Sequence, residues 1–422
     1  MVAVACADRR DRFFGAGAAR LRRIRAVGRR QPVDATAGPR HALGATAASC
    51  PRRCRDCVRH RRPGALARAR SGAGTRIGLA RRDAAACWRA AQRSVRLETY
   101  IYAADEIGQA FAEALIERAK AGCAVRLRID ALGSYDTMNA QLATTLEQGG
   151  VLLEWCRRWS WRRPFEFHRR NHRKLLIVDQ HCCYLGGFNL HRQCSRRAFG
   201  EERWRDTHVR ISGPLVEHAI AAFDEYDRMP LRRTSWRELR SADGYLVPNL
   251  GLARRFLLHQ LLRRLFRGAQ ARIWLATPYF VPPAGIQRAL VRAARRGVDV
   301  RVLVPRRSDV IMAQWASRAA YARLLAGGVR IYEYLPRMLH AKTAVIDAHW
   351  SMVGTANLDY RSLFINDELV LLSAQPALNA GLVGDFEADL VQSEQIAASA
   401  RPRRFGLNWI SELIGWMARR WL

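Results

Sequence analysis

The pattern of hydrophobic and polar positions passes through the same series of elements twice, first over residues 95–155 and again over residues 273–333. Each series begins with an apolar run typical of a buried strand, continues with the period of an amphipathic helix, and returns to a second strand. The three elements fall at residues 95–102, 108–122 and 125–130 in the first series, and at residues 273–280, 284–297 and 300–305 in the second. The repeat therefore predicts two halves of similar structure.

Glycines mark the ends of the predicted helices at matching places in both series. The first helix should stop at Gly122 in one series and at Gly297 in the other, because glycine is favoured where a helix ends. A second helix in each series ends at a glycine pair, and a third strand follows it. The pairs are Gly149-Gly150 and Gly327-Gly328. Alternating strands and helices predict an α/β fold of two pseudo-symmetric lobes, each a mixed β-sheet flanked by helices.

The two ends of the chain depart from this pattern. Residues 1–82 are rich in arginine and show no sustained apolar period, so we expect either a disordered arm or the translation of a wrong reading frame. We place the first lobe at residues 83–245 and the second at residues 246–400. The apolar positions of residues 401–422 recur on one helical face, which predicts an amphipathic C-terminal helix.

The composition narrows the partners and the compartment. A formal net charge of +34 over 422 residues indicates polyanionic partners such as nucleic acid, an anionic membrane surface or phosphorylated substrates. No apolar run approaches the ~18 residues of a membrane-spanning helix, and no signal peptide is recognisable. Ten cysteines do not form a recognisable disulfide framework, which favours a reducing cytosol. The cluster Cys50, Cys54, Cys57 and His60 could in principle bind zinc, but its gaps are short and no second ligand pair lies at the usual loop distance, which favours scattered thiols in the arm.

One constellation of polar residues occurs in both halves with identical spacing, H-x-K-x4-D-x6-G-x2-N. Its members are His172, Lys174, Asp179, Gly186 and Asn189 in the first half, and His340, Lys342, Asp347, Gly354 and Asn357 in the second. Residues two apart on a strand face the same way, so the histidine and lysine of each motif should point into one cleft. We group the aspartates with the histidines and lysines as candidate catalytic residues, although each aspartate lies at an odd spacing from its histidine, which fits a supporting role better than a direct one.

Lysine usage gives independent support for these motifs. Of the 71 Lys and Arg residues, only three are lysines, and two of them are Lys174 and Lys342. A compact ammonium can contact a phosphate as a point charge where a planar guanidinium does not fit. We interpret the third, Lys120, as a solvated surface residue.

The paired HxKx4D motifs, each followed by Gly and Asn, resemble the signature of the phospholipase D superfamily. The resemblance covers about residues 84–400 and implies two lobes that share one active site at their interface. It implies that His172 is the nucleophile that forms a covalent phosphohistidine, and that His340 is the general acid. The lysines and asparagines of the motifs would hold the phosphate oxygens, and no metal or other cofactor is implied.

Members of that family also carry a carboxylate downstream of each motif that orients a histidine. Glu368 lies 28 residues after His340, and Asp206 lies 34 residues after His172, so the first half must contain an insertion. The family often has Ser after the motif glycine. This chain has Gly187 in the first motif and Thr355 in the second.

Three further runs, LETYIY, TPYFVPP and RGVDVRVLVP, resemble bacterial cardiolipin synthases, in particular shorter peripheral ones without N-terminal transmembrane helices. That resemblance implies phosphatidyl transfer between phospholipids, with phosphatidylglycerol as substrate and phosphatidylethanolamine as a further candidate donor. It also implies a location at the cytoplasmic face of the bacterial cytoplasmic membrane. We do not expect nucleic acid as a partner, and the oligomeric state stays open.

Two alternatives remain. The chain could be a hydrolytic phospholipase D or a metal-independent nuclease of the same fold, or a non-catalytic protein that binds membrane or nucleic acid. Aromatic residues interleaved with arginines before the first motif favour a lipid surface, as does the predicted C-terminal helix. The aromatic residues are Trp155, Trp159, Trp161, Phe165 and Phe167.

Overall fold

The computed structural model describes residues 75–80, 89–162, 167–228, 240–241, 244–249 and 256–397. The predicted C-terminal helix, the Cys50 to His60 cluster and most of the predicted arm lie outside these residues. Among the described residues, no helix combines the length and the apolar character needed to cross a bilayer.

The first half forms one mixed sheet. Its strands are β1 (Arg76–Leu79), β2 (Ser94–Thr99), β3 (Ala124–Asp130), β4 (Leu152–Cys156), β5 (Leu175–Val178), β6 (Cys182–Gly186) and β7 (His208–Ser212). Its helices are α1 (Glu106–Lys120), α2 (Ala140–Gln148), α3 (Arg196–Phe199) and α4 (Leu215–Asp224). The strand order is β1-β7-β6-β5-β2-β3-β4. The pairs β2–β3 and β3–β4 are parallel and the others antiparallel.

The second half repeats this arrangement. Its strands are β8 (Arg240–Ser241), β9 (Gly244–Asn249), β10 (Arg272–Ala276), β11 (Asp299–Pro305), β12 (Arg330–Tyr334), β13 (Thr343–Ile346), β14 (Trp350–Gly354), β15 (Glu368–Ser373) and β16 (Ser393–Gln395). Its helices are α5 (Leu257–Gly268), α6 (Ala284–Arg295), α7 (Ile311–Ala326), α8 (Tyr360–Phe364) and α9 (Pro376–Val391). The order is β16-β12-β11-β10-β13-β14-β15-β9-β8. The six neighbouring strands β15-β14-β13-β10-β11-β12 correspond in this order to β7-β6-β5-β2-β3-β4 of the first sheet. The predicted α/β fold of two mixed sheets flanked by helices is confirmed.

The glycines end the helices as predicted. Gly122 follows α1 with φ of 88°, and Gly297 follows α6 with φ of 90°. Glycine adopts this left-handed conformation without the steric cost that a Cβ would bring. Lys120 is exposed at the end of α1, as expected.

The lobe boundaries differ from the predicted ones. Strand β1 falls within the predicted arm of residues 1–82, yet it pairs with β7 along its whole length. Strand β1 has only four residues and lies in an arginine-rich part of the sequence, so the alternation of apolar and polar positions could not be recognised. Strands β8 and β9 straddle the predicted boundary at residue 245, and β9 pairs with β15 in the second sheet. The second sheet therefore begins at Arg240.

Three hydrophobic clusters hold the structure together. One lies between the first sheet and helices α1 and α2, and another between the second sheet and helices α5, α6 and α7. The third contains side chains from both sheets, together with those of α4 and α9. Its members include Leu185 and Ile211 from the first half and Val353 and Leu371 from the second, all with 0% exposure. The two sheets therefore share a core.

Candidate active site

Two short bridges join the lobes beside the motif histidines. The backbone N–H of His172 donates to the carbonyl of Asp367 at 3.0 Å, and the N–H of Asp367 donates to the carbonyl of Arg170 at 2.8 Å. The same exchange occurs at the other motif, where the N–H of His340 donates to the carbonyl of Arg205 at 2.7 Å. Each motif is thus hydrogen-bonded to a segment of the opposite lobe. Asp367 and Arg205, the bridging residues of these segments, each lie one residue before a buried carboxylate.

The two buried carboxylates, Glu368 and Asp206, form hydrogen bonds with the motif histidines. Nδ1 of His172 lies 3.0 Å from Oε1 of Glu368, and Nδ1 of His340 lies 2.6 Å from Oδ2 of Asp206. The carboxylates are therefore exchanged between the lobes, and all four side chains are buried. Because an ionised carboxylate only accepts, Nδ1 carries the proton in each neutral ring, which leaves Nε2 as the free nitrogen.

Both motif lysines are buried beside the histidines. Nζ of Lys174 donates to the carbonyl of His172 at 2.8 Å, and Nζ of Lys342 donates to the carbonyl of His340. Burial, followed by the charge of Lys342, lowers the pKa of Lys174 to about 7. Burial also lowers the pKa of Lys342 to about 8, against the opposing effect of Asp206. Two buried ammoniums whose charges act on each other form a site for an anion.

The charges at the centre of the site are balanced. Burial raises the pKa of Glu368 to about 8 and raises the pKa of Asp206, and the nearby lysines oppose both shifts. When both carboxylates are ionised and both lysines are protonated, the four charges cancel and both histidines are neutral. Burial lowers the pKa of His172 and of His340 well below the ordinary value, and the charges of Lys174 and Lys342 lower it further. A neutral imidazole with a free Nε2 is the form that can act as a nucleophile.

Close packing of neighbouring strands explains the motif glycines. A Cβ placed on Gly186 would lie 2.2 Å from the carbonyl oxygen of Thr207, and one on Gly354 would lie 2.6 Å from that of Leu369. Only glycine lets the strand that carries each carboxylate approach this closely.

The position after the motif glycine differs between the halves for a physical reason. The hydroxyl of Thr355 donates to Glu368 and so supports the longer acid. A Cβ on Gly187 would lie 2.2 Å from Oδ1 of Asp206, so the shorter acid occupies the space that a serine would need. The absence of a side chain at position 187 is therefore matched to Asp206.

The motif asparagines are both buried. Asn189 and Asn357 are 4% and 5% exposed. Oδ1 of Asn189 accepts from the N–H of Ile101 at 3.3 Å. This hydrogen bond directs the Nδ2 donors of Asn189 away from the backbone that follows β2. Oδ1 of Asn357 has no hydrogen-bond partner among the described residues.

The motif aspartates, which we grouped with the catalytic residues, are not at the site. Asp179 accepts hydrogen bonds from the backbone N–H groups before β2, and Asp347 does the same before β10. Both adopt a positive φ, 49° and 52°, in the turns that follow β5 and β13. Backbone hydrogen bonds lower their pKa despite partial burial. They fasten the start of the central strand in each lobe and do not contact the reacting groups.

Two aromatic residues at the site were not identified from the sequence. The ring of Tyr100 lies 5.0 Å from that of His172, and the ring of Trp204 lies 4.9 Å from that of His340. Tyr100 directly follows the end of β2, a position where functional residues of α/β sheets are common. Trp204 lies in the insertion before Asp206 and gave no comparable signal.

No group of three or more His, Cys, Asp or Glu side chains is arranged to hold a metal ion in the part of the chain that the structure describes. The site is instead built from two histidines, two lysines and two exchanged carboxylates on duplicated lobes, an arrangement that defines a phospholipase D-like protein.

The comparisons with known proteins agree. The sequence matches the family described as cardiolipin synthase, PLD-like domain, over residues 86–225 and 262–390. The chain belongs to this family. It is 31% identical over 319 residues to a probable cardiolipin synthase of Bacillus subtilis, YwiE, covering 73% of this chain and 63% of that protein. It is also 31% identical to cardiolipin synthase 1 of Bacillus cereus, covering 74% of this chain and 65% of that protein.

The chain thus spans less than two thirds of the length of these relatives. The crystal structure of phosphatidylserine synthase from Haemophilus influenzae has a TM-score of 0.62 and 13% identity, covering 80% of this chain and 92% of that one. At this identity the likeness shows the fold alone.

Proposed function

We propose that this protein transfers phosphatidyl groups between phospholipids, as its cardiolipin synthase relatives are named to do, through a covalent phosphohistidine on His172. The observation that carries the proposal is the pair of buried histidines, each hydrogen-bonded through Nδ1 to a carboxylate of the opposite lobe. One histidine can then attack phosphorus while the other handles the proton of the leaving group.

In the first step, Nε2 of His172 attacks phosphorus and the bond to the headgroup oxygen breaks. His340 donates its Nε2 proton to that oxygen, so the headgroup leaves as an alcohol. Lys174 and Lys342 hold the non-bridging oxygens as negative charge grows on them, with the amides of the motif asparagines beside them.

Substrate binding itself supplies the asymmetry that this step needs. With both carboxylates ionised and both lysines protonated, the free site is electrically balanced and both histidines are neutral. A phosphodiester adds one negative charge in a buried place, which favours the uptake of one proton. One ring then becomes the acid while the other stays the nucleophile, and the two roles arise from a nearly symmetric site. The proposal assigns the acid to His340 and the nucleophile to His172.

In the second step, His340 takes the proton of an acceptor hydroxyl, and that oxygen attacks the phosphohistidine and releases His172. If the acceptor is the free hydroxyl of phosphatidylglycerol, the product is cardiolipin. If water enters instead, the product is phosphatidic acid. A phosphodiester is exchanged for a phosphodiester in the first case, so no energy source is required.

An apolar groove near the site supports action at a membrane surface. A cavity of about 440 Å³ is lined by Leu132, Tyr135, Trp155, Arg158, Trp159 and Phe167. Trp159 is 51% exposed and the neighbouring Trp161 is 86% exposed. Indole rings beside arginines favour the interface of an anionic bilayer. We propose peripheral binding to the cytoplasmic membrane, with phosphatidylglycerol as the principal substrate.

The test is incubation of the protein with phosphatidylglycerol vesicles, with and without phosphatidylethanolamine, in the presence of a chelator. We expect cardiolipin and released glycerol. Phosphatidic acid alone would favour the hydrolytic alternative. Vesicle binding without any lipid product would overturn the enzymatic proposal.

A further inference from the structure

We propose that Arg337 and Arg203 bind the phosphate of the second, acceptor phospholipid, and that a cavity beside His340 receives the glycerol between the two phosphates. This inference rests on the proposed function and adds a subsite to it. A product with two phosphates on one glycerol requires a second anion site within one glycerol length of the first, and the lysine pair accounts for only one phosphate.

The cavity lies directly beside the proposed general acid. It has a volume of about 270 Å³, and its wall includes Trp204, whose ring is 4.9 Å from that of His340. Ser308 and Asp309 also line it. Both oxygens of Asp309 lie 2.8 Å from the hydroxyl of Tyr279, so this carboxylate is fixed in place and retains accepting capacity for an alcohol. Leu335, Pro336 and Met338 also line the cavity. A small polyol can form hydrogen bonds with the polar residues while its carbon chain contacts the apolar ones.

Arg337 connects this cavity to a second one. It lines both the glycerol-sized cavity and an adjoining cavity of about 580 Å³, whose other charged lining residues are Arg196, Arg203, Arg205, Asp206, Asp385 and Asp389. Four guanidiniums at one place repel each other unless acids or an anionic ligand offset them.

A buried acid offsets one of these four arginines well, because Arg205 contacts Asp389 at 2.8 Å. Arg196 pairs with Glu201, but the two side chains are 70% and 68% exposed, so this pair is weak. Nη1 of Arg337 donates to the backbone carbonyl of Glu201. Its guanidinium is 3.8 Å from the Glu201 carboxylate, whose side chain is 68% exposed, so the charge of Arg337 is only weakly offset.

Two of these guanidiniums keep unused donors. The Nε atoms of Arg203 and Arg337 are buried and have no hydrogen-bond partner within the described residues. Arg203 and Arg337 line the same cavity, and the pKa of Arg203 is lowered first by burial and then by the charge of Arg337. A phosphate could accept from both, because the planar guanidinium fork matches its oxygens.

The other half of the molecule supports the assignment by contrast. Arg169 stands three residues before His172, as Arg337 stands three before His340. Arg169 is neutralised by Asp367 at 3.0 Å, which a second arginine, Arg157, also contacts at 2.6 Å. The arginine three residues before each histidine is therefore held by a buried carboxylate on the His172 side, and lies 3.8 Å from an exposed one on the His340 side, so the pseudo-symmetry is broken where the acceptor would bind.

The experiment compares two reactions of the same phosphohistidine. With phosphatidylglycerol vesicles and labelled free glycerol, exchange of label into phosphatidylglycerol needs no second phosphate, whereas cardiolipin formation does. We expect Arg337→Gln and Arg203→Gln each to lower the ratio of cardiolipin to exchanged lipid about tenfold, mainly by raising the KM for the acceptor lipid. Arg337→Lys should recover part of the loss. Arg295→Gln, on the exposed face of α6, is the matched control.

The outcomes separate this inference from the proposed function. An unchanged ratio in Arg337→Gln and Arg203→Gln, whether both reactions persist or both decline together, overturns the acceptor site. The wild-type protein forming neither product would instead overturn the proposed function. Thermal unfolding of each variant, measured alongside, should match that of the Arg295→Gln control.

Discussion

Glu368 and His172 belong to different lobes, and their side chains meet at 3.0 Å in the buried centre of the site. The reciprocal pair, Asp206 and His340, is related to the first by the pseudo-twofold symmetry. Each reactive ring therefore depends on the lobe that does not carry it, and the orientation of both histidines depends on the packing of the lobes against each other.

Replacing Glu368 with Gln should leave the fold intact and remove the charge that holds Nδ1–H of His172. We expect kcat to fall about 10²- to 10⁴-fold, because the ring loses its tautomer preference and its orientation. Steady-state transfer with phosphatidylglycerol vesicles measures the loss. The comparison variant is Glu387→Gln on α9, which should retain normal rates. Equal activity of the two variants would contradict the role of Glu368.

The order of the two histidines can be tested by trapping the covalent intermediate. With headgroup-labelled and phosphate-labelled lipid, His340→Ala should still accumulate acid-labile phosphoprotein if the leaving group is a good one, such as a nitrophenol. His172→Ala should accumulate none, because the attacking nitrogen is gone. Label on His172→Ala and not on His340→Ala would reverse the assignment. His181→Ala, an exposed histidine in the turn after β5, is the control.

Gly187→Ser should damage the site although serine is small. Its Cβ would come within 2.2 Å of Asp206 and push that carboxylate away from His340. We expect activity to fall about tenfold or more, because misplacement of a general acid is costly. The matching change in the other half, Thr355→Ser, keeps the hydroxyl that supports Glu368 and should be tolerated. If both serine variants behave alike, the explanation for Gly187 is wrong.

The lysines predict an alkaline limit to activity. Lys174 has a pKa lowered to about 7 in the free protein, so it is charged below that pH and increasingly neutral above it. The neutral amine attracts the phosphodiester less, and kcat/KM, which reports the free enzyme, should decline as the pH rises through this region. In Lys174→Arg the guanidinium stays charged, so the decline should be shallower even if the overall rate is lower. An identical alkaline profile in the variant would exclude this lysine as the cause.

Asp347 should matter for stability and not for the chemical step. Removing its side chain with Asp347→Ala leaves the N–H groups of Gln270, Ala271 and Arg272 without their acceptor. We expect a loss of about 1–3 kcal/mol in the free energy of unfolding. Asp347→Asn keeps one acceptor oxygen and tolerates the positive φ, so it should lose less. Denaturant unfolding measures both. A large fall in kcat at full stability would contradict this structural role.

Much of the architecture could be predicted because the same pattern of strands and helices occurs twice along the chain. The repeated strand and helix pattern gave the two mixed sheets, and the spacing of His172 and Lys174 gave the polar centre. The exchange of the carboxylates could not be predicted, since the distance from Asp206 to either motif along the chain does not reveal which lobe it faces. Trp204 was missed for a related reason, because it lies in an insertion that the second half lacks.

The short edge strand β1 was missed because four residues give too few positions for an alternation to stand out from the arginine-rich run before it. The roles of Gly187 and Arg337 depend on interatomic distances and on unpaired donors. Such features have no signature in the linear order of residues.

The core between the two sheets, which both halves build together, has a consequence for how this molecule can change over generations. Duplication often produces modules that later recombine or are lost one at a time. Here neither half could be exchanged for a distant counterpart without remaking a shared interior. We therefore expect the two halves to be inherited as a single unit and to lose their structure in one cooperative transition.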